Sequence, residues 1–171
     1  PLRMMVDLPN DVEIVDLFIH KPGRKLLVAS NDGNGFVVAE EDVLAQTRSG
    51  KQVLNVKDAL AQIVQPVEGD HVAIVSKNGR FLVFPVAELP EMGRGKGVRL
   101  QKYNMARGRQ GTLELDGGVS DVTTFNWAEG LSWEMGGGKT RHEPDLSEWL
   151  GKRAGVGKRP PYGFPRNMKF R

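Results

Sequence analysis

A glycine-rich basic turn occurs twice in the chain at a fixed interval, and the residues around it repeat as well. Arg48-Ser49-Gly50-Lys51-Gln52-Val53 aligns with Gly93-Arg94-Gly95-Lys96-Gly97-Val98, so that Gly50 and Gly95 stand 45 residues apart. Before each lies a strand–turn–strand pattern. The first is Leu27–Ser30, turn Asn31-Asp32-Gly33, then Gly35–Val38; the second is Ala73–Ser76, turn Lys77-Asn78-Gly79, then Phe81–Phe84. Asp-Gly and Asn-Gly are strong hairpin signals because primed turns need positive φ. Short polar or helical pieces follow, over 40–46 and 86–91. The glycine turn then leads into another β run, 53–56 or 98–100. Upstream, Glu13–Phe18 matches Gln62–Val67 as a leading strand.

A third, degenerate copy is expected farther on. Val119–Trp127 supplies its leading strand. Leu131–Met135, a turn at Gly136–Gly138 and Lys139–Arg141 supply its hairpin. Asp145-Leu146-Ser147-Glu148 has the form of a capping box opening a short helix that stops at Gly151. Arg153-Ala154-Gly155-Val156-Gly157-Lys158 stands where the glycine turn belongs, 60 residues after Gly95, so an insertion over 104–118 interrupts the period. About four short β runs in each unit of about 45 residues match a four-stranded propeller-type blade. The 21 glycines in 171 residues agree with a turn-rich, all-β chain. A single blade cannot bury both faces, and three are few for a closed ring, so about three blades in an open or partial ring are expected.

Charge is unevenly placed. Residues 151–171 hold seven Lys and Arg and no acid, while the other 150 residues carry the remaining 17 of 24 basic groups against all 21 acidic ones. Residues 93–109 carry six basic groups without an acid. Such segments fit a polyanion partner, most simply nucleic acid, and equally a solvated loop and a solubilising tail. The tandem Pro160-Pro161 favours an extended basic tail over 160–171, dispensable for folding.

Catalytic patterns are missing. With no cysteine there is no disulfide framework, thiol nucleophile or Cys-based metal site. His20, His71 and His142 have no ligand spacing, and no metal site is expected. Gly136-Gly137-Gly138-Lys139-Thr140 resembles the end of a phosphate loop, but Trp133 stands where that motif needs glycine and no helix follows, so it reads as a hairpin turn. Glu40-Glu41-Asp42 reads as a solvated loop, and no Ser–His–Asp arrangement is suggested. No 18-residue apolar run or signal-peptide core is present. The missing Met at position 1 suggests a piece of a longer protein.

On these residues the chain resembles a known family. Gly93–Val98 is similar to the box motif of the C-terminal domains of bacterial type IIA topoisomerase A subunits, and Arg48–Val53 to a degenerate copy. Lys25–Phe36, Phe84-Pro85-Val86 followed by Leu89-Pro90, Gly130–Trp133, Trp149–Arg153 and Pro160–Pro165 resemble the topoisomerase IV branch. The gyrase box is fuller than either copy here, which favours that branch over gyrase-type wrapping. A propeller-like protein-interaction module is the alternative outside DNA binding.

The resemblance implies a β-pinwheel over 1–159, with units at about 13–57, 61–103 and 119–158, binding duplex DNA without sequence preference and steering the enzyme's choice of topology in decatenation and supercoil relaxation. It implies Arg94, Lys96, Arg99 and Lys102 as the main contacts, with Arg48, Lys51, Lys152, Arg153 and Lys158 beside them. Gly50, Gly93, Gly95 and Gly97 are the box glycines, which would bring backbone amides close to a phosphate. Arg24, Lys25, Arg80 and Lys139 serve equally as solvated surface or contact. Trp127, Trp133 and Trp149 are expected in blade packing, and Phe18, Phe36, Phe81 and Phe84 in the core. No catalytic residue, cofactor or small-molecule substrate is expected in this chain. ATP and Mg2+ would act through other domains. The partners would be duplex DNA, the N-terminal cleavage region of the same polypeptide and the B subunit of topoisomerase IV. Cytoplasmic, nucleoid-associated action follows, with peripheral membrane association of the holoenzyme allowed.

Overall fold

Each glycine turn that the sequence marks as a hairpin closes one. The computed structural model describes residues 5–107 and 113–171. β1 (Lys25–Ser30) pairs antiparallel with β2 (Asn34–Ala39), and Gly33 between them has φ +88°, its N–H donating to Ser30 O at 3.0 Å. β4 (His71–Ser76) and β5 (Phe81–Pro85) repeat this arrangement, with Gly79 at φ +75° and its N–H on Ser76 O at 3.0 Å. The side chains match too, since the hydroxyl of Ser30 meets Asp32 and that of Ser76 meets Asn78.

The leading strand of each unit belongs to the blade before it. β3 (Ala61–Pro66) pairs with β1, with Ala29 opposite Ile63, and β9 (Val119–Phe125) pairs with β4, with Ile74 opposite Val122. The run after each glycine turn also crosses back. β6 (Val98–Arg99) joins β2, with Gly35 opposite Val98, and Lys158 bridges Phe81 at the equivalent place. A blade is therefore the hairpin of one unit closed on both edges by strands of the next. This exchange makes the all-β fold a propeller-like pinwheel. β7 (Asn104–Arg107) and β8 (Leu113–Asp116) form a hairpin of their own in the expected insertion, and β10 (Leu131–Glu134) with β11 (Thr140–Glu143) form the third hairpin.

Both faces of the inner strands are apolar, and each face has a cover. Leu27 and Ala29 pack with Ile63, Ile74, Leu82 and Phe84 between the first two blades. Leu26 and Val28, on the opposite face of β1, pack with Phe36 and Val38. Ala73, Val75, Phe81 and Val83 face Leu131, Trp133, Leu146 and Phe170. Of the aromatics expected inside, Phe36, Phe81, Phe84 and Trp133 are buried, while Trp127 and Trp149 are half-buried against the second cluster.

Several expectations need correction, among them the solvated loop at Glu40-Glu41-Asp42, since Glu40 is buried against Arg24. Glu13–Phe18 forms no strand: β1 already has β2 and β3 on its edges. Leu17 and Ile19 are 69% and 85% exposed, and Phe18 leaves the core to lie beneath the Arg24 guanidinium, 5.0 Å from its ring centre. Residues 53–56 contribute only a bridge from Leu54 to Gly95. Asp145–Glu148 opens a single turn instead of a helix: the Asp145 carboxylate caps it by accepting the Ser147 N–H and hydroxyl, but the chain leaves the turn at Leu150, which bridges onto Val83. The 160–171 tail lacks strands, as its prolines require, but it is packed. Phe164 and Phe170 sit 5.6 and 5.8 Å from Phe81, and Glu134 N–H donates to Phe170 O at 2.9 Å. Phe170 thereby takes up the edge of β10 that a further unit's leading strand would fill.

Candidate nucleic-acid interface

The blade exchange brings the three glycine turns side by side. Gly95 N–H donates to Val53 O at 3.0 Å, Asn55 N–H returns to Gly95 O at 2.8 Å, and Arg94 Nη2 donates to Gln52 Oε1 at 2.9 Å, joining the first turn to the second. Ala154 N–H donates to Leu100 O at 2.9 Å and Lys102 N–H to Gly155 O at 3.0 Å, joining the second to the third. The result is one strip of chain, 48–55 beside 94–102 beside 152–158.

Eight of the nine cations expected from the sequence are exposed on this strip: Arg48, Lys51, Arg94, Lys96, Arg99, Lys102, Lys152 and Lys158. Among the described residues, the last six of these make no ion pair, so their charge is available to an external anion. Arg48 lies 3.7 Å from Asp7, and Lys51 donates to the Asp42 carbonyl. Arg153 is the exception. Its guanidinium turns inward, donating to Glu88 O at 3.1 Å and Arg99 O at 2.7 Å, so it holds the second and third turns together instead of facing solvent. Asp32 stays on the acidic side of its ordinary value: partial burial pushes it up, but hydrogen bonds from Ser30 and Asn34 and the Lys96 charge pull it down by more.

The glycines have unequal roles. Gly97 has φ +76° and passes so close to the first hairpin that a Cβ would lie 2.1 Å from Gly35 O. Gly157 has φ +86°, and its Cβ would lie 2.6 Å from Phe81 O, the matching place on the second hairpin. Gly50 needs positive φ but has open space around it, and Gly93 is unobstructed at 3.8 Å from Asp42. The Gly95 amide, expected to approach a phosphate, is spent on Val53.

Other cations sit elsewhere. Arg24 is held by Glu40 and Lys25 by Glu91 at 2.6 Å. Arg80 and Lys139 are exposed near the second and third hairpin turns. Gly136–Gly138 is the β10–β11 turn, all three residues with positive φ, as the hairpin reading requires. The histidines are separate, on Glu40, Asp70 and Ser132, and among the described residues no cluster of three or more His, Cys, Asp or Glu is arranged to hold a metal. No described helix is long and apolar enough to cross a membrane. Sequence reasoning missed Gln101. It is buried inside the strip, and its only signal is an uncharged amide in the middle of a basic run.

Comparison with known proteins follows the same outline. The family "DNA gyrase C-terminal domain, beta-propeller" matches residues 24–65 and 70–110, which hold the first two hairpins and the strands that close the first. The chain is 43% identical over all 171 residues to the DNA topoisomerase 4 A subunit of Caulobacter vibrioides and 42% identical over 170 residues to that of Rickettsia bellii. It spans about a fifth of these relatives, 21% of each. Its fold is like that of the E. coli ParC C-terminal domain, with a TM-score of 0.75 at 24% identity over 97% of this chain and 67% of that one. It is also like the DNA gyrase A C-terminal domain, at 0.65 and 18% identity over 96% and 55%.

Proposed function

Because the chain belongs to the C-terminal domain family of type IIA topoisomerase A subunits, we propose that it is a duplex-DNA-binding accessory domain that steers its enzyme's choice of DNA crossing in decatenation and supercoil relaxation. One observation carries the reading: three glycine turns lie edge to edge, and the second and third present six cations that make no ion pair among the described residues. Duplex DNA carries one charge per ~1.7 Å of axis, and Lys and Arg contacts to it are phosphate-directed and indifferent to sequence. A strip crossing from one blade to the next engages several phosphates along one duplex without reading bases. The acidic remainder of the chain keeps attraction local to the strip.

In this reading the chain has no chemistry of its own. Strand cleavage belongs to the N-terminal region of the same polypeptide, ATP hydrolysis with Mg2+ to the B subunit of the enzyme, and the assembly works in the cytoplasm at the nucleoid. The test is a titration of the chain with relaxed, positively and negatively supercoiled circles across a salt series. Binding that weakens steeply with salt and is equal on unrelated sequences supports the reading. Salt-independent binding, or none, removes it.

A further inference from the structure

Gln101 is wholly buried, 0% exposed, in the middle of the cationic strip. Its amide is used on both sides. Nε2 donates to Arg80 O at 3.1 Å and to Val156 O at 3.0 Å, and Oε1 accepts from the Tyr103 hydroxyl at 3.1 Å. Arg80 ends the turn of the second hairpin, Val156 is the centre of the third glycine turn, and Gln101 itself stands between the contact candidates Arg99 and Lys102. One side chain therefore ties the second and third turns to the hairpin beneath them. The backbone bonds from Ala154 to Leu100 and from Lys102 to Gly155 lie on either side of it. An apolar residue of equal size would fill the space but leave Val156 O without a donor and Arg80 O with the Ser76 N–H alone.

We propose that Gln101 is a positioning residue for nucleic-acid contact: it holds Lys152 and Lys158 in register with Arg99 and Lys102, so that both pairs meet one duplex. The inference rests on the DNA-binding reading above. Register matters because duplex DNA is stiff over the length of such a strip, with a persistence length of ~50 nm, and does not bend to follow a displaced pair of cations.

The test uses the full chain and Gln101→Met, titrated against mixed-sequence duplex DNA over a salt series. The slope of log affinity against log salt should fall by about 2, at roughly 0.9 per lost contact. Adding Lys152→Ala and Lys158→Ala to Gln101→Met should lower it no further, although the same pair in the parent lowers it by about 2. Val122→Ala, in the core between the first two blades, should lower the melting temperature and leave the slope alone, which separates positioning from general loss of stability. Amide exchange gives a reading without DNA: the Ala154 and Lys102 amides should exchange at least about tenfold faster in Gln101→Met, a change worth ~1.4 kcal/mol, while Ile74 and Leu82 do not change. An unchanged slope in Gln101→Met, with a parent that binds, overturns the inference alone. So does a slope that falls equally in Val122→Ala. A parent that binds no duplex overturns the reading beneath it.

Discussion

Gly97 passes so close to Gly35 that a Cβ on Gly97 would lie 2.1 Å from the Gly35 carbonyl oxygen. That oxygen belongs to backbone in a paired strand, with Gly35 opposite both Ala29 and Val98, so it cannot step aside without opening the first blade. The glycine turn is therefore a structural seam as well as a carrier of charge.

Gly97→Ala should destabilise the chain by about 3 kcal/mol or more, the sum of a left-handed alanine, roughly 1–2 kcal/mol, and a backbone clash. Gly157→Ala should behave alike, since its Cβ would meet Phe81 O at 2.6 Å. Gly136 has φ +78° and no atom within 4 Å, so Gly136→Ala should cost only the left-handed conformation, roughly 1–2 kcal/mol. Denaturant unfolding of the three variants checks the order. Equal losses in all three would show that the close approach is unimportant.

Glu40 is 1% exposed and receives the Arg24 guanidinium, the Lys21 N–H at 2.9 Å and a His20 contact at 2.7 Å. The Arg24 hydrogen bond is the largest cause holding its carboxyl at about 2, against the upward push of burial. A carboxyl lowered by folding stabilises the folded chain above its ordinary value of about 4.5, and that stability is lost as pH falls from there toward about 2. The melting temperature should drop across this window. Glu40→Gln should start lower at pH 7 and show a flatter acid limb. An acid limb unchanged by the substitution would place the titration on other carboxylates.

Phe170 is 4% exposed and meets Phe81 and Phe164 edge-on at 5.8 and 5.5 Å. Phe170→Ala should cost about 3–5 kcal/mol, as for other large buried aromatics. Truncation after Arg159 should do at least as much damage, because it also frees the edge of β10 at Glu134 and leaves Trp133 and Phe81 uncovered. A truncated chain melting within a few degrees of the parent would show that the tail only rests on the blades.

The hairpins were legible because their cause is local: the glycines of Asp-Gly and Asn-Gly take positive φ in both turns, and continuous apolar runs flank them. Which strand closes which blade was not. Glu13–Phe18 has the pattern of Gln62–Val67, yet only the latter joins a hairpin strand, β1, among the described residues. The packing of the tail was hidden for a similar reason. Phe164, Met168 and Phe170 are spaced without period among Pro and Arg, and only the third blade's open side explains their burial. At the candidate site, eight of the nine cations expected from residue type are exposed, because a charge without a buried partner must face water. Arg153 and Gln101 escaped, since their partners are carbonyls far along the chain that no composition or spacing records.

Arg94 and Lys96 flank Gly95 at the centre of the strip, both exposed, and Arg94 donates to Gln52. Changing both to Ala removes two phosphate partners and no buried contact. The salt slope of duplex binding should fall by about 2, at roughly 0.9 per contact. Affinity should fall equally on unrelated sequences, because phosphate contacts carry no base information. Stability should change by no more than about 0.5 kcal/mol, as for surface substitutions elsewhere. A double variant that folds normally and binds with the parent's affinity and slope would reduce the second glycine turn to a blade connector. The contact would then lie with Lys152 and Lys158 on the third turn, whose substitution should take the slope down in its place.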